Sequence, residues 1–154
     1  MSCGVSSAVE HLPYTQGVTG SNPVPRTNDV IFTHLRETFA LVRLPPSEEI
    51  PRWAGGEFVS ITRTADELSV VCRETAVPAG SRADRGWECL KLEGPIPLQT
   101  VGVASEFTSL LAKAGVSVFL ISTFDTDYVL VKGEALARAE DALRSGGHSV
   151  RRPL

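Results

Sequence analysis

The sequence is poor in cysteine and aromatic residues, has no excess of basic residues and contains no long apolar run. The three cysteines among 154 residues form no Cys-x-x-Cys pair, which argues against a disulfide framework and against a zinc site. No window approaches the roughly 18 consecutive apolar residues of a membrane-spanning helix. The net charge of −3 lacks the basic excess typical of proteins that bind nucleic acid or anionic membranes. We therefore expect neither nucleic acid nor a membrane as a partner.

Catalytic and cofactor motifs are also missing. The sequence contains no Gly-x-Ser-x-Gly, His-Glu-x-x-His, Walker A or Gly-x-Gly-x-x-Gly pattern. Its three histidines, His11, His34 and His148, are too widely spaced to predict a metal site. These absences predict a protein without enzymatic activity, cofactor or metal. A small enzyme stays open as the least favoured alternative, because a fold alone excludes no activity.

The cysteines indicate the compartment. Cys72 and Cys89 lie in apolar, strand-like runs, which favours small buried side chains over reactive thiols. Unpaired cysteines are typical of a reducing compartment, and the N-terminus has no signal-peptide pattern. The prediction is a cytoplasmic protein.

Residues 1–33 differ in kind from the rest of the chain. They are rich in Gly, Ser, Thr and Pro and have no helical or strand period, which is typical of loops. The run Gly20–Pro23 reads like the translated T-arm of a tRNA gene. We therefore expect a disordered or spurious leader, with a genuine flexible arm as the alternative.

Residues 34–85 predict a short β-rich module. Strands are expected at residues 39–44, 58–64 and 68–72, and the last two form a hairpin. Residues 47–53 predict one or two helical turns, which Pro51 keeps short. A second helix is barely indicated, around residues 75–79.

Residues 86–154 predict a complete second module with the order β-α-β-β-α-β, which is the ferredoxin-like plan. Strands are expected at 87–93, 116–123, 128–131 and 148–150, and helices at 101–114 and 133–145. Both faces of the strand at 116–123 are apolar. We expect helices on one face, and on the other the first module, a second chain or a ligand.

The two modules are related to each other. Residues 58–71 align with residues 118–131 at an offset of 60. A module of about 60 residues is marginal alone, so the two are expected to pack as one unit. The predicted fold is therefore α+β, with two ferredoxin-like modules side by side and the first one abbreviated.

Two loops of the second module are candidate binding sites. Pro97–Gly102 leads into a helix, whose N-terminus suits a carboxylate, and Gly102 would let a ligand approach the backbone. The alternative is that Gln99 or Thr100 only caps the helix. The hairpin Thr123–Asp127 has two acids, two threonines and a ring, a set that could hold an ammonium or guanidinium group. Its aspartates could instead bond only their own backbone. Together the two loops could bind both ends of an amino acid.

A family resemblance adds to these predictions. Residues Gly94–Lys132, and above all the stretch ISTFDTDYVLV, resemble an ACT domain. Residues Trp53–Cys72 are similar to the first module of small tandem-ACT proteins of the type of the CASTOR arginine sensors. The resemblance covers about residues 38–150. It implies a regulatory protein that binds an amino acid between its modules and has no catalysis of its own.

The resemblance also implies which residues bind the ligand. In such sensors the contacts come from the strand-to-helix loop and the hairpin, and the corresponding residues here are Thr100, Val101, Gly102, Phe124, Thr126 and Asp127. Ser60 and Thr62 of the first module are expected to face the shared interface. The predicted function is an amino-acid-binding regulatory module, with a homodimer as one option. The alternative is a structural or protein-interaction module that has kept the fold without a ligand.

Overall fold

The computed structural model describes residues 29–152, so the predictions for residues 1–28 lie outside the described residues. Seven strands and two helices follow one another along this part of the chain. The strands are β1 Ile31–Leu44, β2 Ser60–Arg63, β3 Leu68–Arg73, β4 Ala83–Leu92, β5 Phe119–Ser122, β6 Asp127–Lys132 and β7 Ser149–Arg151. The helices are α1 Val103–Lys113 and α2 Leu136–Ser145, and short 3-10 turns occupy Glu74–Ala76 and Gly133–Ala135. β1 begins at Ile31, inside the predicted leader.

All seven strands belong to one sheet. Its order is β2-β3-β1-β4-β6-β5, and β7 pairs in parallel with the first residues of β1. The long strand β1 pairs with β3 through Phe39–Leu44 and with β4 along most of its length. The two predicted modules therefore share β1 and β4, and the prediction of two complete ferredoxin-like modules is not confirmed. What the structure shows is a mixed fold with a β-rich sheet and two helices.

Both helices cover one face of this sheet. Phe107 and Leu111 of α1 and Ala139 and Leu143 of α2 are buried, as the helical spacing of their apolar residues predicts. They pack on one cluster of strand residues, namely Phe32, Leu90, Leu92, Val129 and Val131. The helices of the second half are thus where the sequence placed them, to within about three residues at each end.

Within the described residues, the first half, which runs from β1 to the start of β4, has no α-helix. Residues 47–53, predicted as helical turns, form only turns and bends, which fits the two prolines before Ser47 and the one at position 51. The connection between β1 and β2 is shorter than that between β4 and β5 by eleven residues, which is the length of α1. In place of a helix, Trp53 and Ala54 of this loop pack on a cluster around Val42, Leu68 and Val70.

The face of the sheet without helices, called the open face below, is covered in part by aromatic side chains. Phe58, just before β2, lies over this face and stacks on Tyr128 of β6 with the ring centroids 4.2 Å apart. It also meets Phe39 of β1 edge to face at 6.0 Å. A residue of the first half thus covers the second apolar face that the sequence predicted for the β5 region.

Elements of the two halves recur along the chain at a spacing that differs by one residue from the predicted offset of 60. β2 corresponds to β5, β3 to β6 and the first 3-10 turn to the second at an offset of 59. A slip of one residue would turn every strand side chain to the other face. At the structural offset Val71 corresponds to Leu130, and both lie in the aromatic cluster of the open face.

Candidate functional site

A pocket of about 280 Å³ lies between the N-terminus of α1 and the turn that joins β5 to β6. Its lining residues come from the two predicted loops: Ile96, Pro97, Leu98, Thr100, Gly102, Val103, Ala104, Ser105, Ser122, Thr123, Phe124, Thr126 and Asp127. All of them belong to the second half. The pocket therefore does not lie between the two halves, where the resemblance implied the ligand would bind.

The end of α1 that faces the pocket has positive character. Gly102 is the N-cap, with φ +91°, and no side chain of the described residues caps the helix. The prediction that Gln99 or Thr100 only caps the helix is therefore wrong. A β-carbon at Gly102 would find open space, so the backbone is accessible on this side. The first N–H groups of a helix have no partner within it, and they favour an anion here.

The turn on the opposite side is closed by hydrogen bonds between Thr123 and Thr126. The backbone N–H of Thr123 donates to the Thr126 carbonyl at 2.8 Å, and the Thr123 hydroxyl donates to the same oxygen at 2.8 Å. The Thr126 N–H donates back to the Thr123 hydroxyl at 3.3 Å. Thr123 thus closes the turn with its hydroxyl, a role that the alternative interpretation of this hairpin gave to its aspartates.

The loop and the turn are tied to each other. The Ile96 N–H donates to the Asp125 carbonyl at 2.7 Å. The Thr126 hydroxyl donates to the Leu92 carbonyl at 2.6 Å, in a buried position. Gly94 lies so close to the turn that a β-carbon there would be 2.8 Å from the Asp125 carbonyl oxygen. These contacts fix the distance between the two walls of the pocket.

The walls differ in charge. Asp127 is the only charged residue among those described that line the pocket. Around it are hydroxyl groups of Ser105, Ser122 and Thr123, and the ring of Phe124. The pocket thus offers free N–H groups on one side and a carboxylate on the other, with hydroxyl and apolar groups between them.

The structure brings together five of the eight predicted site residues. Thr100, Gly102, Phe124, Thr126 and Asp127 line the pocket. Val101 does not, and its side chain is 82% exposed. Ser60 and Thr62 lie on β2, at the opposite edge of the sheet. Sequence reasoning missed Ser105 and Ser122. Both could have been found, because Ser105 lies in the first turn of α1, three residues after Gly102, and Ser122 is the last residue of the strand before the hairpin.

Among the described residues, the cysteines and the possible metal ligands do not form a second site. Burial raises the pKa of the Cys89 thiol strongly, and desolvation also raises that of Cys72. Both cysteines are unpaired and buried, as predicted. Within residues 29–152 no group of three or more His, Cys, Asp or Glu residues is arranged to hold a metal ion. In the same range no helix is long and apolar enough to cross a membrane.

Comparison with protein families gives two matches in this chain. An ACT domain model matches residues 82–145, which contain the whole pocket. A second model, which describes an N-terminal domain, matches residues 37–80. No curated protein matches the sequence significantly.

Solved structures resemble the chain over most of its length. Protein Atu0741 from Agrobacterium tumefaciens is 40% identical, with a TM-score of 0.78, over 83% of this chain and 96% of that one. A Vibrio cholerae protein of unknown function, VC0802, described as a possible transport protein, is 18% identical with a TM-score of 0.61, over 77% of this chain and 91% of that one. The aspartate kinase of Clostridium acetobutylicum, an allosteric enzyme, is 13% identical with a TM-score of 0.57. It matches 72% of this chain, which spans 33% of the kinase. The Vibrio cholerae protein and the Clostridium acetobutylicum kinase share the fold of this chain.

Proposed function

We propose that this chain, which belongs to the same family as Atu0741 and contains an ACT domain, is a regulatory module without catalysis that binds a small molecule, specifically an amino acid. We also propose that the chain is related to the tandem-ACT amino-acid sensors of the CASTOR type, which its sequence resembles. Cys72 and Cys89 are unpaired, which is typical of a reducing compartment and supports a cytoplasmic location.

The observation that carries the proposal is the opposite polarity of the two pocket walls. A free amino acid has a carboxylate and an ammonium group a few ångströms apart. The uncapped N-terminus of α1 suits the carboxylate, and Asp127 suits the ammonium group. The apolar residues Ile96, Pro97 and Leu98 would surround the side chain of the ligand.

Thermal unfolding in the presence of each of the twenty amino acids tests the proposal. One ligand at a hundred times its dissociation constant should add about 2.7 kcal/mol of stability and raise the melting temperature. Asp127→Asn should weaken that ligand about tenfold or more, because a hydrogen bond to a charged group contributes roughly 1.5–3 kcal/mol. Asp66→Asn, in the equivalent hairpin of the first half, is the matched control and should bind normally. No shift with any amino acid at millimolar concentration would contradict the proposal.

One observation favours the second candidate, a protein-interaction module. Leu98, Val101 and Phe124 surround the pocket and are 66%, 82% and 79% exposed. Exposed apolar side chains in one area are typical of an interface, for which a second copy of the chain is the simplest partner. This alternative predicts a ligand-independent dimer in light scattering that Val101→Ser weakens, with no response to amino acids.

A further inference from the structure

The hairpin of the first half has the same construction as the hairpin that forms the pocket wall. The Thr64 N–H donates to the Glu67 carbonyl at 2.9 Å, as the Thr123 N–H does to the Thr126 carbonyl at 2.8 Å. The Thr64 hydroxyl accepts the Glu67 N–H at 3.2 Å, as the Thr123 hydroxyl accepts that of Thr126 at 3.3 Å. The offset of 59 therefore relates these two hydrogen bonds in one turn to the corresponding two in the other.

The residue before this turn differs between the halves. In the second half it is Ser122, whose short side chain lines the pocket. In the first half the same position is Arg63. Its guanidinium donates to the Glu48 carbonyl at 2.8 Å and also to the Pro46 carbonyl.

One acceptor of Arg63, Glu48, occupies a position equivalent to the other wall of the pocket. β1 ends at Leu44 and β4 at Leu92, so Glu48 and Ile96 are each the fourth residue after their strand. Ile96 lines the pocket of the second half. The guanidinium thus spans from the hairpin to the loop in the first half, across the gap that stays open in the second.

The hairpin of the first half is held to its loop and strand by charge. Arg43 forms an ion pair with Glu67, and its guanidinium donates to the Asp66 carbonyl at 3.0 Å. In the second half the residue equivalent to Glu67 is Thr126, which makes a neutral hydrogen bond to the Leu92 carbonyl instead. Arg43 and Arg63 are both exposed to solvent, and they bridge the strand, the loop and the hairpin in the region that corresponds to the pocket.

We propose that Arg63 is an internal occupant of the first half's counterpart of the pocket, so that the carbonyls of Pro46 and Glu48 form a guanidinium-binding site filled by the chain itself. The inference rests on the proposed function in one respect: if the second half binds an amino acid, each chain binds one molecule and not two. The guanidinium site itself does not depend on that function.

Chemical rescue tests the guanidinium site. Arg63→Ala removes the occupant and leaves both carbonyls in place. Methylguanidinium at millimolar concentration should then cause saturable changes in the amide NMR signals of Ser47 and Glu49, whose N–H groups share a peptide unit with the two carbonyls, and should raise the melting temperature of this variant. Wild-type protein should show neither effect, because Arg63 fills the site. Methylammonium carries the same charge without the planar pair of donors, and it should not replace methylguanidinium.

Equal responses of wild type and Arg63→Ala, or no saturable response of the variant, would overturn the proposal. If Arg63→Ala does not fold, Arg63→Lys supplies the same comparison, because lysine keeps the positive charge but lacks the planar pair of N–H donors. Ser122→Arg tests the equivalence of the halves, because it should place a guanidinium in the open pocket and abolish stabilisation by any amino acid that stabilises wild type. Retained stabilisation in Ser122→Arg would contradict the equivalence. If no amino acid stabilises wild type, the proposed function fails, while methylguanidinium still decides the inference.

Discussion

Thr126 shows how a single buried polar residue can determine the shape of the candidate site. Only 7% of its surface is exposed, and its hydroxyl donates to the Leu92 carbonyl. Sequence reasoning selected Thr126 through the family resemblance, as a ligand-binding residue. Its contact with β4 was not predictable from the hairpin sequence, because the partner is 34 residues away along the chain.

Thr126→Val should destabilise the fold, because it keeps the shape of the side chain but leaves the Leu92 carbonyl without its donor. We expect a loss of about 1–3 kcal/mol in the free energy of unfolding, measured by urea denaturation. Thr62→Val, on the exposed edge strand β2, is the control and should change the stability by less than about 0.5 kcal/mol. An equal effect of the two changes would show that the buried hydrogen bond is not what matters.

At the scale of elements, local patterns predicted the second half well and the first half less well. The apolar spacing of α1 and the residues after it identified a helix that ends near Gly115, where φ is +66°. The same reasoning failed at residues 47–53, because the polar and acidic residues that suit a first helical turn stand between prolines. Each wall of the pocket is formed by one short stretch of sequence, so the pocket could be predicted. The position of Ser60 and Thr62 relative to the pocket depends on how the strands of the two halves are ordered in the sheet, which local patterns do not reveal.

Gly94 provides a test of how the loop and the hairpin are joined. Because this residue has no side chain, the loop can lie so close to the hairpin that an added β-carbon would be 2.8 Å from the Asp125 carbonyl oxygen. Gly94→Ala should therefore push the walls of the pocket apart, and we expect it to cost about 1–3 kcal/mol of stability. Gly133→Ala is the matched control, since its β-carbon would meet nothing closer than 3.7 Å. Calorimetric melting of both variants gives the comparison, and equal melting temperatures would refute the close approach.

At the scale of the whole molecule, the two halves cannot be separated without breaking shared strands. β1 completes the sheet of both halves, since it pairs with β3 near its end and with β7 near its start. The stack of Phe58 on Tyr128 adds a contact between the halves on the open face, next to Asp127 of the pocket. The sequence predicted two modules that pack as one unit, but strand sharing could not be predicted, since strand order depends on pairing between distant segments.

Shared strands imply that the described part of the chain unfolds in a single step, and its two tryptophans can test this. Trp53 packs in the cluster of the first half, and Trp87 of β4 lies on the open face, with the Lys132 ammonium 4.6 Å from its ring centroid. Trp53→Phe and Trp87→Phe each leave one fluorescent probe in a different region. Within either variant, the urea midpoint from fluorescence should equal the midpoint from far-ultraviolet circular dichroism. Independent modules would instead give a fluorescence midpoint that departs from the circular dichroism midpoint in at least one variant. Coincident midpoints in both variants would mean that the loop bound by Arg63 and the pocket with Asp127 belong to one cooperative unit, so that a ligand bound in the second half also stabilises the first.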